Sequence, residues 1–262
     1  MSSQKESTAR TLVVALLVCL VCSVFVAGAA VALRPTQLEN RQLDKQRSIL
    51  AIAGLGEAGM SGDQVKTLYA ERIVARLVDL ETGEFSDEFD ANTFDPLVAA
   101  KDPALSEALP SREDIASIKR LERYSTVYIV EEGGQMDTLI LPVRGYGLWS
   151  TLYGFVAVKG DLNTVAGFGF YQHGETPGLG GEVDNPKWRN QWPGKELFNE
   201  NGELAVQIVK GSVDPQSPRA DHQVDGLAGA TLTSNGVNNL LHFWLGEHGF
   251  GPFIANLRAG EA

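Results

Sequence analysis

Residues 124–171 hold four short runs that decide the fold: Tyr124–Glu132 (YSTVYIVEE), Thr138–Val143 (TLILPV), Gly154–Lys159 (GFVAVK) and Thr164–Tyr171 (TVAGFGFY). They are rich in β-branched and aromatic residues, which is typical of strands. Turn residues bound them: Gly133-Gly134, Gly145 and Gly147, and Asp161. Since short turns join antiparallel neighbours, the pattern predicts a mostly antiparallel sheet.

Helical patterns lie on both sides of these strands. Residues 34–55 predict a helix with Pro35 in its first turn, and residues 61–77 predict a second helix. A last helix is predicted over Ser234–Leu245, with Val237, Leu240, Leu241, Trp244 and Leu245 on one apolar face. A further strand is expected over Leu204–Val209, and residues 79–118 are expected to be loop with short elements. The fold class is therefore α+β, a mostly antiparallel sheet flanked by helices.

The N-terminus carries 23 uncharged residues, Thr11–Leu33. About 20 apolar residues span a bilayer core, so this run predicts one transmembrane helix. A removable signal peptide is the alternative, because Ala30-Val-Ala32 has the small-x-small form of a cleavage site. We expect a retained anchor, with a short tail at 1–10, the span at 11–33 and the main domain at 34–262.

Composition excludes some classes of function. The net charge is −11 and there is no basic stripe, which argues against a nucleic-acid partner. Cys19 and Cys22 both lie in the apolar run, so the rest of the chain has no disulfide framework and no thiolate metal site.

Small residues and hydroxyls are concentrated in Asp225–Val237, DGLAGATLTSNGV. Thr233 or Ser234 could cap the helix that follows. Alternatively, Gly226, Gly229 and Ala230 leave room for a bulky anion at the helix N-terminus, which favours phosphate. Either interpretation suits the hydroxyls, but only the second accounts for the glycines.

Two further stretches are candidates for a ligand site. The loop His173–Gly181, HGETPGLGG, could lie flat against a planar ligand, with Glu175 and Thr176 as hydrogen-bonding groups; an ordinary turn is the alternative. His173 alone is better interpreted as a structural residue, and no zinc pattern surrounds it. In Arg144–Ser150, RGYGLWS, the aromatic side chains could flank a cofactor or belong to the core. No catalytic triad or carboxylate pair is evident.

Together these stretches resemble the FMN-binding domain family, and within it the C subunits of Na⁺-translocating NADH:quinone reductases. The resemblance covers most of the chain, including the segment after the span, with a core at about 143–245. The family motif D-G-x-S/T-G-A-T-x-S/T is matched by Asp225, Gly226, Gly229, Ala230, Thr231 and Thr233. Ala228 departs from the usual Ser or Thr.

The resemblance implies FMN joined covalently to Thr231 through a phosphoester. It implies further flavin contacts at these positions: Trp149, Glu175, Thr176, Gly178, Leu179, Gly180, Asp225, Gly229, Ala230, Thr233 and Ser234. It also implies electron relay in a sodium-pumping complex of the inner membrane, with other subunits and a flavin transferase as partners and the main domain in the periplasm. No catalytic acid or base and no metal are expected.

Three other functions compete with this one. The G subunit of the related Rnf complex shares the flavin motif. A non-redox, membrane-anchored scaffold would leave Thr231 unmodified. A secreted hydrolase would need cleavage after Ala32 and a catalytic dyad, which the sequence does not show.

Overall fold

The computed structural model describes residues 7–57 and 59–262. The α-helices are α1 Thr8–Ile52, α2 Gly62–Arg72, α3 Pro96–Ala99, α4 Pro186–Arg189, α5 Thr231–Trp244 and α6 Gly251–Ala259. The strands are β1 Ile73–Asp79, β2 Glu84–Ser86, β3 Ser106–Ala108, β4 Arg120–Glu122, β5 Tyr124–Glu132, β6 Gln135–Tyr146, β7 Thr151–Lys159, β8 Val165–Gln172, β9 Gln207–Ile208 and β10 Gln223–Val224. Short 3-10 helices occupy Gly180–Asp184 and Ala220–His222.

The central sheet has six strands in the order β2-β1-β5-β6-β7-β8, and each neighbouring pair is antiparallel. The predicted α+β class is confirmed, and the four predicted runs form β5 to β8. Two small sheets lie outside it, an antiparallel β3–β4 pair and a parallel β9–β10 pair.

Several predicted element bounds are wrong. The second helix ends at Arg72, and the next seven residues form β1, which pairs with β5 along its whole length. Pro35 lies inside α1, so the helix after the span has no separate first turn. The strand expected over residues 204–209 is reduced to Gln207–Ile208, and α5 begins at Thr231, three residues earlier than predicted.

One face of the sheet forms the main core. Leu139, Leu141 and Val156 of the sheet are fully buried together with Leu240 and Leu241 of α5. Fully burying a leucine-sized side chain is worth about 1.5–3 kcal/mol, so this layer fixes α5 against β6.

The other face is covered by Lys45–Ile52, the last turns of α1, and by α2. Tyr69 of α2 meets Tyr128 of β5 edge-on at 6.5 Å, and the Lys45 ammonium lies 5.3 Å from the centre of the Tyr128 ring. Burial lowers the pKa of Lys45, and the Asp95 carboxylate opposes that effect. The sheet is thus covered on both faces, as a stable layered domain requires.

The described chain divides into two compact units, one ending at Asp44 and one running from Lys45 to Ala262. In the first unit, the described residues are helical from Thr8 onward and exposed, apart from the half-buried Leu43, and α1 is long and apolar enough to cross a membrane. An exposed apolar helix of this length agrees with the predicted anchor.

Candidate functional site

The two candidate loops, 147–150 and 173–181, meet at one end of the sheet. The first leads into β7 and the second follows β8. Because β7 and β8 are antiparallel, the start of one lies beside the end of the other, and Tyr153 pairs with Gln172. The Ser150 hydroxyl accepts a hydrogen bond from the Gly174 N–H at 2.6 Å, which joins the loops directly.

The start of α5 forms the third part of the site. Its N-cap residue is Ala230, which provides no side-chain hydrogen bond, and Gly229 before it has a φ of 71°, in the left-handed region that favours glycine. The Ser234 hydroxyl instead accepts from the Leu227 N–H at 3.0 Å, and the Thr233 hydroxyl donates to Glu175 at 2.8 Å. The capping interpretation of Thr233 and Ser234 is therefore wrong, and the helix N-terminus has no side-chain cap.

Glu175 connects all three stretches. Its Oε1 accepts hydrogen bonds from the N–H groups of Leu148, Trp149 and Ser150 at 3.1, 3.0 and 3.3 Å. Its Oε2 accepts the bond from Thr233, and the side chain is almost fully buried. A buried carboxylate is tolerated when hydrogen bonds replace its hydration, and here four bonds do so.

These bonds also set the charge of Glu175. Burial alone would raise its pKa, but hydrogen bonds from the Trp149 N–H, the Thr233 hydroxyl and the Leu148 and Ser150 N–H groups outweigh burial. The pKa of Glu175 therefore lies below its ordinary value, and the carboxylate is ionised at neutral pH.

Glycines allow the parts to approach closely. A Cβ on Gly180 would lie 2.5 Å from Thr233 Oγ1 and 2.6 Å from Glu175 Oε2. A Cβ on Gly147 would lie 2.6 Å from Glu175 Oε1, and one on Gly236 would collide with the Tyr146 carbonyl oxygen. Real Cβ atoms do not approach this closely, so the glycines permit the packing around the carboxylate.

Thr231 lies at the surface above this buried network. It is exposed, and its hydroxyl makes no hydrogen bond within the described part of the chain. Large apolar side chains nearby are also exposed: Leu232 by 59%, Trp149 by 66% and Leu179 by 45%. Leu179 reaches the loop before α5, since its Cδ2 lies 3.1 Å from a Cβ built on Gly229. We call Trp149, Leu179 and Leu232 the apolar rim; of the two interpretations of Trp149, its exposure excludes a core residue.

Asp225 has a different environment. Its Oδ1 accepts from the Val213 N–H at 2.7 Å, and its own N–H donates to Gln191 at 3.0 Å. Its carbonyl accepts from the indole N–H of Trp188 at 2.8 Å. Asp225 therefore orders the loop that leads into α5.

His173 connects the start of the 173–181 loop to the 3-10 helix Gly180–Asp184 at its end. His173 Nε2 lies 2.7 Å from Asp184, and its Nδ1 accepts from the Glu175 N–H at 3.2 Å. This agrees with the prediction of a structural histidine. Thr176 and Gly178 are exposed in the same loop, and Gly178 has a φ of 77°.

Ser150 and Gln191 also hold these segments in place, but neither side chain was predicted from the sequence as part of the site. Their partners, Gly174 and Asp225, lie 24 and 34 residues away along the chain. No local pattern signals such pairings.

The comparisons with known proteins match the region that contains the site. The family described as "FMN-binding domain" matches residues 147–246. The C subunit of the Na(+)-translocating NADH-quinone reductase of Pseudomonas aeruginosa is 75% identical over 99% of this chain and 100% of its own length. The protein of the same name from Yersinia pestis is 52% identical over 97% of this chain and 95% of its own length.

The chain belongs to the family of C subunits of Na(+)-translocating NADH-quinone reductases.

Solved structures of this family agree. The crystal structure of Shewanella oneidensis NqrC matches with a TM-score of 0.75 and 36% identity, over 84% of this chain and 98% of that one. The C subunit from Parabacteroides distasonis matches with a TM-score of 0.65 and 32% identity, over 85% of this chain and 96% of that one.

The site of this family member fits a phosphorylated flavin. An uncapped helix N-terminus favours a phosphate group, and the exposed Thr231 hydroxyl lies on its first residue. The exposed apolar rim suits a planar ring system, which it would cover from water.

Proposed function

We propose that this chain is the flavin-bearing subunit of a Na(+)-translocating NADH-quinone reductase, carrying FMN on Thr231 through a phosphoester and relaying electrons within that complex. One observation carries the proposal: the Thr231 hydroxyl is exposed and unbonded, within the described residues, at the uncapped start of α5. Family membership and the matched FMN-binding domain support it. They also favour this identity over an Rnf-type G subunit or a non-redox scaffold.

The chain's own residues would bind and orient the cofactor. Bound FMN supplies the redox chemistry, and the protein supplies position and electrostatics. Thr231 in the first turn of α5, with Gly229 and Ala230 just before it, would hold the phosphate, where the helix dipole favours negative charge. Trp149, Thr176 and Gly178–Gly180 would border the ring system, while Asp225, Ser234 and the pair Glu175–Thr233 would keep these segments in place.

A covalent attachment suits the proposed compartment. We place residues 1–10 in the cytoplasm, 11–33 in the inner membrane and the domain 34–262, with its flavin-binding core at about 143–245, in the periplasm. A phosphoester removes cofactor dissociation, so flavin is retained where free FMN is not easily replaced. The span contains no Asp, Glu, Lys, Arg or His, so a sodium pathway would belong to other subunits of the complex.

Mass spectrometry tests the attachment. The full chain, co-expressed with a flavin transferase, is expected to gain the mass of FMN less one water, because one ester bond forms between the phosphate and the Thr231 hydroxyl. Thr231→Ala should lose this gain. Thr233→Ser, which keeps every hydroxyl of the segment, is the matched control and should retain it.

The same experiment can reject the proposal. If the wild-type chain gains no mass while the transferase modifies another acceptor protein, Thr231 is not a flavin acceptor. An Ala228→Thr variant, which restores the family motif, then shows whether Ala228 is the cause.

A further inference from the structure

We propose that Glu175 and Thr233 form a latch that positions the flavin without touching it, and that the latch exists before the flavin is attached. The proposal rests on the proposed function and goes further, because it gives the second hydroxyl of the motif a role different from that of the first.

The hydrogen-bonding capacity of the carboxylate is the first argument. An ionised carboxylate has about four lone-pair positions. In Glu175, three backbone N–H groups share the two positions of Oε1, and the Thr233 hydroxyl takes one of the two positions of Oε2. Only 5% of the residue is exposed, and a Cβ built on Gly180 would lie 2.6 Å from Oε2, so the remaining position is enclosed by protein and out of reach of the flavin.

The orientation of the two threonines is the second argument. Thr231 and Thr233 are two residues apart in α5, so they point about 200° apart around the helix axis. Thr231 is exposed, and Thr233 is completely buried. The hydroxyl that would carry the flavin is therefore rotated away from the hydroxyl that holds Glu175.

The third argument is what the latch connects. Through Oε2, Glu175 fixes the first turn of α5, and through Oε1 it fixes the backbone of Trp149. These are the proposed anchor point and one side of the apolar rim. Through one carboxylate, the latch sets the distance between the anchor and the rim, which is the kind of support a preorganised site requires.

The fourth argument is the tight enclosure of the latch. Gly180 leaves no room for even a Cβ beside Thr233 and Glu175. In Thr233→Val a methyl group takes the place of the hydroxyl, so no space is left there for a water molecule that could replace it. Removing the hydroxyl leaves Glu175 Oε2 buried without its partner, which is costly.

A distant pair of the same chemistry supplies a matched control. In the β7–β8 turn, Asp161 accepts two backbone N–H groups and the Thr164 hydroxyl. This turn lies at the opposite end of β7, about 30 Å away at roughly 3.3 Å per residue. Thr164→Val therefore removes the same kind of bond outside the site.

The test combines hydrogen exchange of the flavin-free protein with a spectrum of the flavin-loaded protein. Full-length Thr233→Val, made without transferase, should show amide exchange at residues 148–150 faster by roughly tenfold, because those N–H groups lose a fixed acceptor. With transferase, its attached flavin should give a weaker visible circular-dichroism band. Thr233→Ser, which keeps the hydroxyl, should show the wild-type exchange and the wild-type flavin band. Thr164→Val should also leave both measurements unchanged.

Thr233→Ala is a second variant, which deletes the hydroxyl without placing a second methyl beside the carboxylate. Unchanged exchange and an unchanged flavin band in both the valine and alanine variants would overturn the latch. A weaker band with unchanged exchange would also overturn it, since Thr233 would then contact the flavin directly. Failure of the proposed function gives a different result, because the wild-type chain would then gain no mass with the transferase. The exchange measurement uses flavin-free protein, so it would still show whether the latch exists.

Discussion

The ionisation of a single carboxylate, Glu175, makes the stability of the site depend on pH. Its pKa in the folded chain is lowered, while in the unfolded chain it is near the ordinary value of about 4.3. Its contribution is therefore complete above the unfolded pKa and is lost as the pH falls through the lower folded pKa. We expect the wild type to lose stability relative to Glu175→Gln between about pH 5 and pH 3. The measurement is the urea midpoint of both proteins at several pH values in this range. The titration of the other acidic residues is common to both proteins, so it cancels in the difference between the two midpoints. A difference that stays constant with pH would contradict the prediction.

A second prediction at the residue scale concerns Gly180. Gly180→Ala places a Cβ 2.5 Å from Thr233 Oγ1 and 2.6 Å from Glu175 Oε2. Overpacking of this kind costs about 1–3 kcal/mol, so we expect a lower urea midpoint. Gly181→Ala is the control, because its Cβ would lie 3.1 Å from the Thr176 carbonyl oxygen, a milder contact. An equal decrease of the urea midpoint in both variants would show that the close contact at Gly180 does not cause the loss of stability.

The residue types of the site could be predicted, but their contacts could not. The resemblance identified Thr231, Glu175 and Trp149 as site positions, and the structure places them around one network. The sequence did not distinguish an exposed hydroxyl from a buried one two residues later. That difference depends on which face of α5 packs on the sheet, which is a tertiary contact.

At the scale of elements, Gly236 decides how closely α5 approaches β6. A helix-interior Gly→Ala change normally stabilises by about 1 kcal/mol through helix propensity. Here the added Cβ would collide with the Tyr146 carbonyl oxygen and lie 2.9 Å from Gly147 Cα, both backbone atoms that cannot move alone. We therefore expect Gly236→Ala to lower the thermal midpoint. Asn235→Ala, at an exposed neighbouring position, should raise it slightly; a gain for both variants would show that propensity outweighs the close approach.

The four neighbouring strands β5 to β8 could be predicted from the sequence, whereas β1 and β2 beside them could not. The runs that form β5 to β8 alternate with clear turns, so local sequence specifies them. The segment that forms β1 was predicted as helix, because Val65, Tyr69, Ile73 and Leu77 have helical spacing. Its pairing with β5, some 50 residues later, overrides that spacing. The helix α6 was not predicted either, although Pro252 stands in its first turn and Gly260 ends it in the left-handed region.

At the scale of the whole molecule, the chain has two parts that suit different surroundings. The long apolar helix suits lipid, and the domain with the covered sheet suits water. The span needs lipid around it, since its residues are exposed and uncharged. The unit Lys45–Ala262 buries its own core. We expect a chain lacking residues 1–33 to remain in the supernatant after ultracentrifugation, and the full chain to need detergent. Sedimentation of the shortened chain with the membrane would mean that the domain itself binds lipid.

The orientation of the domain can be tested with thiol labelling, because Cys19 and Cys22 are the chain's two cysteines and both lie in the span. In a Cys19→Ala, Cys22→Ala background, Glu200→Cys introduces a thiol at an exposed turn of the domain. If the domain faces the periplasm, a membrane-impermeant maleimide should label this thiol in intact spheroplasts. Ser3→Cys, before the span, should react only after permeabilisation. The reverse pattern would place the domain in the cytoplasm and would remove the argument that covalent attachment protects flavin from loss outside it.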